Sequence, residues 1–283
     1  MQLVKRMRPL LGTFVELAVY SDSPPAQLDP QIARAFDSIA LVQNLLSFHS
    51  LDSDLTRLNR ACGAAVTCHP LSIQCLRLAQ AITRVSQGHF NCTLGGAIVQ
   101  HGALPAHDFG ALYAERLLPV GDWNDLQISR TEVQLKRSVL ITLDGIAKGF
   151  AVDVAIKSLK SAGVRAGWIN AGGDTRVFGN LILPTAVRDH NGDLHDLGGL
   201  QNAAIATSTS LYTAENPGVL LCSHGQPQNA ATWTVLANSA WRADALTKVA
   251  ASVPADERVA FVAQLGGRWV HVTNTNTNAS TST

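Results

Sequence analysis

Two groups of residues in this chain have the types and spacing to do chemistry. Asp244 and Lys248 lie four positions apart in Ala243-Asp244-Ala245-Leu246-Thr247-Lys248, a stretch that opens a helix. Residues four apart share a helix face, so this carboxylate and ammonium point the same way. They can form a surface ion pair of small stability value, or act together on a charged ligand. The second group lies between Ile141 and Asn180, ITLDGIAKGFAVDVAIKSLKSAGVRAGWINAGGDTRVFGN. Here Lys148 follows a turn containing Gly145, and Asn170-Ala171-Gly172-Gly173-Asp174 ends a strand. Two adjacent residues without side chains let the backbone turn sharply or approach a ligand closely.

The elements that must position these groups follow from periodicity. Phe150, Val154 and Leu159, with Ala151, Ala155 and Ile156 beside them, recur at helical spacing, and Gly163 stands where a C-terminal cap is expected. Ala166 to Ile169 is an apolar run suited to a buried strand. The region therefore reads as strand, turn, helix, strand, turn. Elsewhere, Leu11 to Tyr20 alternates as a first strand. After Pro24 and Pro25, Gln31 to Leu46 carries Ile32, Ala35, Phe36, Ile39 and Val42 on one helical face. Ser53 is a candidate N-cap for a short helix, and Ser72 to Gln87 is a further helix closed by Gly88. The segment from His101 to Gly121 reads as a loop with one short helix. Leu126 to Leu143 reads as strands, Leu181 to Asn202 as a hairpin and Trp233 to Ala237 as a strand. Val259 to Val272 supplies a helix end, a Gly-Gly turn and a final strand.

Composition narrows the function classes. With 283 residues, 46% hydrophobic and 15% charged, the chain can bury a substantial core and is not a disordered protein. A net charge of +1, no basic run and 6% aromatics argue against a nucleic-acid surface. Cys62, Cys68, Cys75, Cys92 and Cys222 form no CxxC pair and are odd in number, which favours reduced thiols and the cytoplasm. Gly12, Thr13 and Glu16 interrupt the N-terminal apolar run before a signal-peptide core forms, and no stretch is long enough for a membrane span. No membrane anchor is therefore expected. Residues 1–272 read as a single domain, and 273–283, made of Thr, Asn, Ser and Ala, as a disordered tail.

Several of these segments, in order, resemble the FAD:protein FMN transferases, the ApbE family. Gly145-Ile146-Ala147-Lys148-Gly149-Phe150-Ala151-Val152-Asp153 and Asn170-Ala171-Gly172-Gly173-Asp174 match the family's core pattern in type and spacing. Leu11-Gly12-Thr13, the run from Leu46 to Arg60, Phe90-Asn91-Cys92-Thr93, Ile205-Ala206-Thr207-Ser208 and Ala243-Asp244-Ala245-Leu246 match further family segments. Among the departures from the pattern, Thr142 and Asn91 each replace an Asp, His49 a Tyr, Gly218 a His and Lys248 a Thr.

The resemblance implies an α+β fold, ApbE-like and T-fold-like, with mostly antiparallel sheets and packed helices. It implies transfer of FMN from FAD, the substrate, onto a Thr hydroxyl of a flavin-accepting partner protein, with release of AMP. It also implies Mg²⁺ held by the Gly145 carbonyl, the Asp244 carboxylate and Thr247, oxygen donors of the kind this ion prefers. Asp244 and Lys248 are the implied catalytic pair. Leu11, His49, Phe90, Asn91, Thr142, Lys148 and Val219 are the implied FAD contacts. The substitutions at Thr142, Gly218 and Lys248 keep two other activities in view: an FAD-binding protein without transfer, and an FAD hydrolase releasing FMN and AMP.

Overall fold

The chain opens as a β-hairpin, β1 (Gln2–Leu10) and β2 (Thr13–Ser21), in a computed structural model that describes residues 2–22, 24–61, 63–107, 120–210, 220–221, 225 and 228–270. Register brings Leu10 opposite Thr13, so Leu11 and Gly12 are the turn, with φ of 58° and 69°. Positive φ at both positions is the type I′ geometry that matches the twist of the flanking strands. The sequence reading starts the first strand at Leu11, whereas Leu11 is in the turn and a strand precedes it. Alternation does not reveal β1, because this edge strand is exposed on both faces apart from buried Val4 and half-buried Leu10. Its cations pair outward, Lys5 with Glu16, Arg6 with Asp29 and Arg8 with Asp37.

Helix α1 (Pro25–Leu46) begins before the expected Gln31, because Pro25 sits in its first turn, where a missing N–H breaks no helical bond. In α2 (Asp54–Arg60), Ser53 Oγ accepts from Thr56 N at 3.0 Å, the expected cap. Then come β3 (Val66–Thr67), α3 (Pro70–Val85), α4 (Gly95–Gln100), β4 (Leu126–Ile128) and β5 (Glu132–Leu135). The strands expected as far as Leu143 end at Leu135. Val139 and Ile141 are buried, but in irregular chain. Asn59 replaces the missing ladder there: its side-chain amide donates to Ile141 O at 2.9 Å and accepts from Ile141 N at 2.8 Å.

The remaining elements are α5 (Ala147–Ser161), β6 (Ala166–Ala171), β7 (Asp174–Phe178), β8 (Leu183–Arg188), β9 (Leu194–Leu200), β10 (Ala204–Ser210), β11 (Ala231–Ala237), α6 (Ala240–Ser252), α7 (Arg258–Gln264) and β12 (Gly267–Val270). Seven strands form one sheet in the order β1-β2-β6-β7-β10-β11-β12, with every neighbouring pair antiparallel. Successive residues point to opposite faces of a strand. Val15, Leu17 and Val19 of β2, Ile169 of β6 and Ala204 and Ala206 of β10 therefore join the main core under the helices. Ala18, Trp168, Val177 and Ile205 face the other way and are covered by Val187 and Leu200 of the β8–β9 hairpin. This is the expected α+β architecture.

Candidate functional site

Helices α5 and α6 cross at small residues and cap one another. A Cβ on Gly149 would lie 2.3 Å from the Ala240 carbonyl oxygen, so only glycine permits this approach. The first N–H groups of a helix have no partner within it. Asp153, on α5, accepts from Ala240 N at 3.1 Å and Trp241 N at 3.0 Å, capping α6. Asp244, on α6, accepts from Gly149 N at 3.2 Å, capping α5. Each carboxylate also lies at the positive end of its partner helix, a favourable position for negative charge. Asp153 is held on its other side by Arg176 at 2.7 Å. At the far end of α5, Gly163 (φ 85°) completes the cap: its N–H donates to Lys160 O, and Val164 N donates to Leu159 O.

This crossing brings the Lys148 turn and the Asp244 helix together and builds a charged cluster. Lys248 Nζ lies 2.6 Å from Asp244 Oδ1, and Lys148 Nζ lies 2.9 Å from Asp174 Oδ2. Asp174 and Asp244 are buried, while the side chains of Lys248 and Lys148 keep 20% and 32% of their exposure. Asp144 completes the group, its backbone N–H donating to Thr142 Oγ1 at 3.4 Å. Burial raises the pKa of Asp144, and Asp244 nearby adds to the rise. Asp174 is raised in the same way, by burial first and by Asp244 second. Burial pulls Lys148 down, but Asp174, Asp244 and Asp144 outweigh it and hold the ammonium above its usual pKa.

A cleft of about 470 Å³ opens beside the cluster, within the size range of small-molecule sites. Asp144, Ala147 and Lys148 form its charged wall; Leu11, Val42, Leu46 and Phe48 form an apolar one, with His49 at the edge. Leu11 is held in its left-handed conformation by the Gln43 side chain, whose Oε1 accepts from Leu11 N. A non-glycine residue there costs roughly 1–2 kcal/mol, and such outliers gather at ligand sites.

The structure thus brings Leu11, His49 and Lys148 to the cleft and Asp244, Lys248 and Thr247 to the charged cluster behind its wall. Phe90 is buried beneath Gly145, where a Cβ would meet its ring at 3.0 Å. The Asn91 side chain donates to Gly121 O at 2.9 Å and accepts from Thr93 N at 2.9 Å, so it ties the turn after Phe90 to the backbone at Gly121 and does not line the cleft. Thr142 is buried next to Asp144. Val219 and Gly218 lie outside the described residues. Asp144, Asp153 and Asp174 received no role from the sequence. Asp153 and Asp174 stand inside the matched segments, and Asp144 restores an acid two residues from Thr142.

A family model described as the ApbE family matches residues 11–270. The chain belongs to the ApbE family. A curated relative, "FAD:protein FMN transferase" of Treponema pallidum (strain Nichols), is 25% identical over 191 residues, 62% of this chain and 51% of that protein. The chain thus spans about half the length of that relative. Among solved structures, the ApbE protein of Thermotoga maritima superposes with a TM-score of 0.79 at 22% identity, over 94% of this chain and 93% of that one. The apo flavinyl transferase ApbE of Pseudomonas stutzeri gives 0.77 at 19%, over 93% and 88%. At these identities the two structures speak for the fold.

ApbE membership makes the fit of Mg²⁺ a direct question. Of the two Asp244 oxygens, Oδ1 is engaged by the Lys248 ammonium and Oδ2 by Gly149 N. The Thr247 hydroxyl is buried, donating to Asp244 O at 2.7 Å and lying 2.7 Å from Ser208 Oγ. Among the described residues, no group of three or more His, Cys, Asp or Glu side chains is arranged to hold a metal. A divalent ion about 4 Å from the Lys248 ammonium would meet repulsion on the order of 8 kcal/mol at an effective dielectric of 20. This donor set does not fit Mg²⁺ with Lys248 where it stands.

Proposed function

We propose that this ApbE-family protein transfers FMN from FAD to a threonine hydroxyl of an acceptor protein, with AMP as the leaving group. The observation that carries this reading is the convergence of Lys148, on the charged wall of a cleft whose other wall is apolar, with the Asp244 cluster behind that wall, in a chain matched to the family over residues 11–270. An isoalloxazine ring suits the Leu11, Leu46 and Phe48 side, and a diphosphate suits the side bearing Lys148. His49 lines the same cleft and offers a flat imidazole on which a ring can stack.

In the proposed reaction the threonine oxygen forms a bond to the FMN phosphorus while the bond to the AMP oxygen breaks. The hydroxyl proton passes to solvent water and AMP departs as the anion. Such a displacement depends on holding the reacting groups in line and on stabilising charge at the phosphoryl oxygens. Lys148 and Lys248 supply that charge here, each anchored by a buried carboxylate. Thr142 supports the turn at Asp144, Asn91 fixes the chain at Gly121, and residues 1–272 act as one unit. Free, buried Cys68, Cys75 and Cys92 support a reducing compartment, the cytoplasm. Burial pushes the Cys68 and Cys92 thiols up to about 11, which leaves them unreactive. No helix among the described residues is long and apolar enough to cross a membrane.

Incubation with FAD and a threonine-containing acceptor domain, followed by mass spectrometry of the acceptor and chromatography of nucleotides, tests the reading. Covalent flavin on the acceptor with an equal amount of AMP is the expected result. Free FMN and AMP with an unmodified acceptor would make the protein a hydrolase. Intact bound FAD would make it a carrier.

A further inference from the structure

We propose that the ε-ammonium of Lys248 holds, on Asp244, the place a divalent cation would take, so that Lys148 and Lys248 grip the diphosphate of a flavin dinucleotide without a metal ion. This inference rests on the flavin reading above and goes beyond it by naming what neutralises the diphosphate.

The geometry assigns Lys248 this place on three counts. Its ammonium is 2.6 Å from Asp244 Oδ1, and the carboxylate it meets is 1% exposed, so the pair is a built contact and not a solvated surface pair. Its stem is also constrained: a Cβ placed on Gly145 would lie 3.3 Å from Lys248 Cε and 3.4 Å from its Cγ. The lysine therefore packs along the Gly145 turn, one of the positions expected to face a metal. Finally, two further oxygens expected to serve an ion already have hydrogen-bond partners, Asp244 Oδ2 with Gly149 N and the Thr247 hydroxyl with Asp244 O and Ser208.

Chemistry supports the exchange. Mg²⁺ demands near-octahedral oxygen ligands, whereas an ammonium needs only acceptors around three donors. With one donor on Asp244, Lys248 keeps two for phosphate oxygens, and Lys148, held on Asp174 at 2.9 Å, is placed the same way. Both lysines remain partly exposed, and both ammoniums have a carboxylate that fixes their position before the ligand arrives. A lysine brings one charge where Mg²⁺ brings two, and the second lysine supplies the remainder.

The test is the dissociation constant for FAD by equilibrium dialysis, in EDTA and in excess Mg²⁺, for the wild-type protein and for Lys248→Thr. The wild type should bind FAD equally in both buffers, to within about twofold, and Lys248→Thr should bind about tenfold or more weakly in EDTA and recover with Mg²⁺. Wild-type affinity that rises about tenfold or more with Mg²⁺ overturns the inference while leaving the flavin reading intact. So does a Lys248→Thr protein whose affinity in EDTA equals the wild type's, or one that Mg²⁺ leaves unchanged. The wild-type comparison needs no variant and stands even if Lys248→Thr fails to fold. If the wild type binds FAD in neither buffer, the flavin reading falls and this inference falls with it.

Discussion

Replacing Gly149 by Ala sets two effects of opposite sign against each other. Helix propensity alone predicts a gain of about 1 kcal/mol, since alanine is the better helix former. Packing predicts a loss. The added methyl would sit 2.3 Å from Ala240 O, 2.5 Å from Ala240 C and 2.7 Å from Trp241 N. All three atoms are backbone, so no rotamer relieves the clash, and α6 must retreat by about 1 Å to restore ordinary contact. Overpacking of this kind costs about 1–3 kcal/mol. The retreat also stretches the Gly149 N to Asp244 Oδ2 bond, now 3.2 Å, beyond hydrogen-bonding range. A bond to a charged acceptor contributes about 1.5–3 kcal/mol. The packing terms win, and Gly149→Ala should be less stable than wild type by about 2–4 kcal/mol. Urea denaturation followed by far-UV circular dichroism measures this, and FAD affinity should fall with it because the Lys148 turn moves with α5. A variant with the wild-type midpoint or a higher one would show that the crossing is not tight and would remove the argument that it assembles the site.

Two further substitutions examine the supports of the site. Asp54 accepts from His69 N at 2.7 Å, Ser72 Oγ at 2.6 Å and Arg57 at 2.5 Å. Burial works to raise its pKa, but these donors together lower it from 3.8. The folded protein therefore binds fewer protons at this carboxyl than the unfolded chain. Its contribution is present above pH 3.8 and disappears as pH falls through the lower folded value. Asp54→Asn should lose about 2 kcal/mol at neutral pH, with the difference from wild type narrowing under acid. Melting curves across the pH range read this directly, and a gap that widened on acidification would contradict it. Asp153→Ala leaves Arg176 without its partner and two α6 N–H groups uncapped, so urea denaturation should show a loss of about 3 kcal/mol or more. A loss below about 1 kcal/mol would mean that the cap is replaced by solvent.

Signals carried by a few neighbouring residues were legible without coordinates. The helix from Ala147 with its glycine cap, the Ser53 cap, the β8–β9 hairpin and the Gly172-Gly173 turn each depend on near neighbours, so local periodicity and turn chemistry suffice. β1 and the irregular run from Val139 to Leu143 were not legible. The edge strand is stabilised by register with β2 and by ion pairs to α1, and the buried run is satisfied by Asn59, 82 residues away. Neither arrangement leaves a periodic trace.

The sequence by itself determined the family, the element types around Lys148 and Asp244, and the helical spacing that places Lys248 on the same face as Asp244. Only the tertiary structure decided that Lys148 faces Asp174, that Asp144 turns into the cleft wall, and that Asp153 and Asp244 cap each other's helices. Spacing along the chain fixes which side chains share a face. Which carboxylate meets which cation depends on how closely two distant segments approach, and here that distance is set by the missing side chain of Gly149.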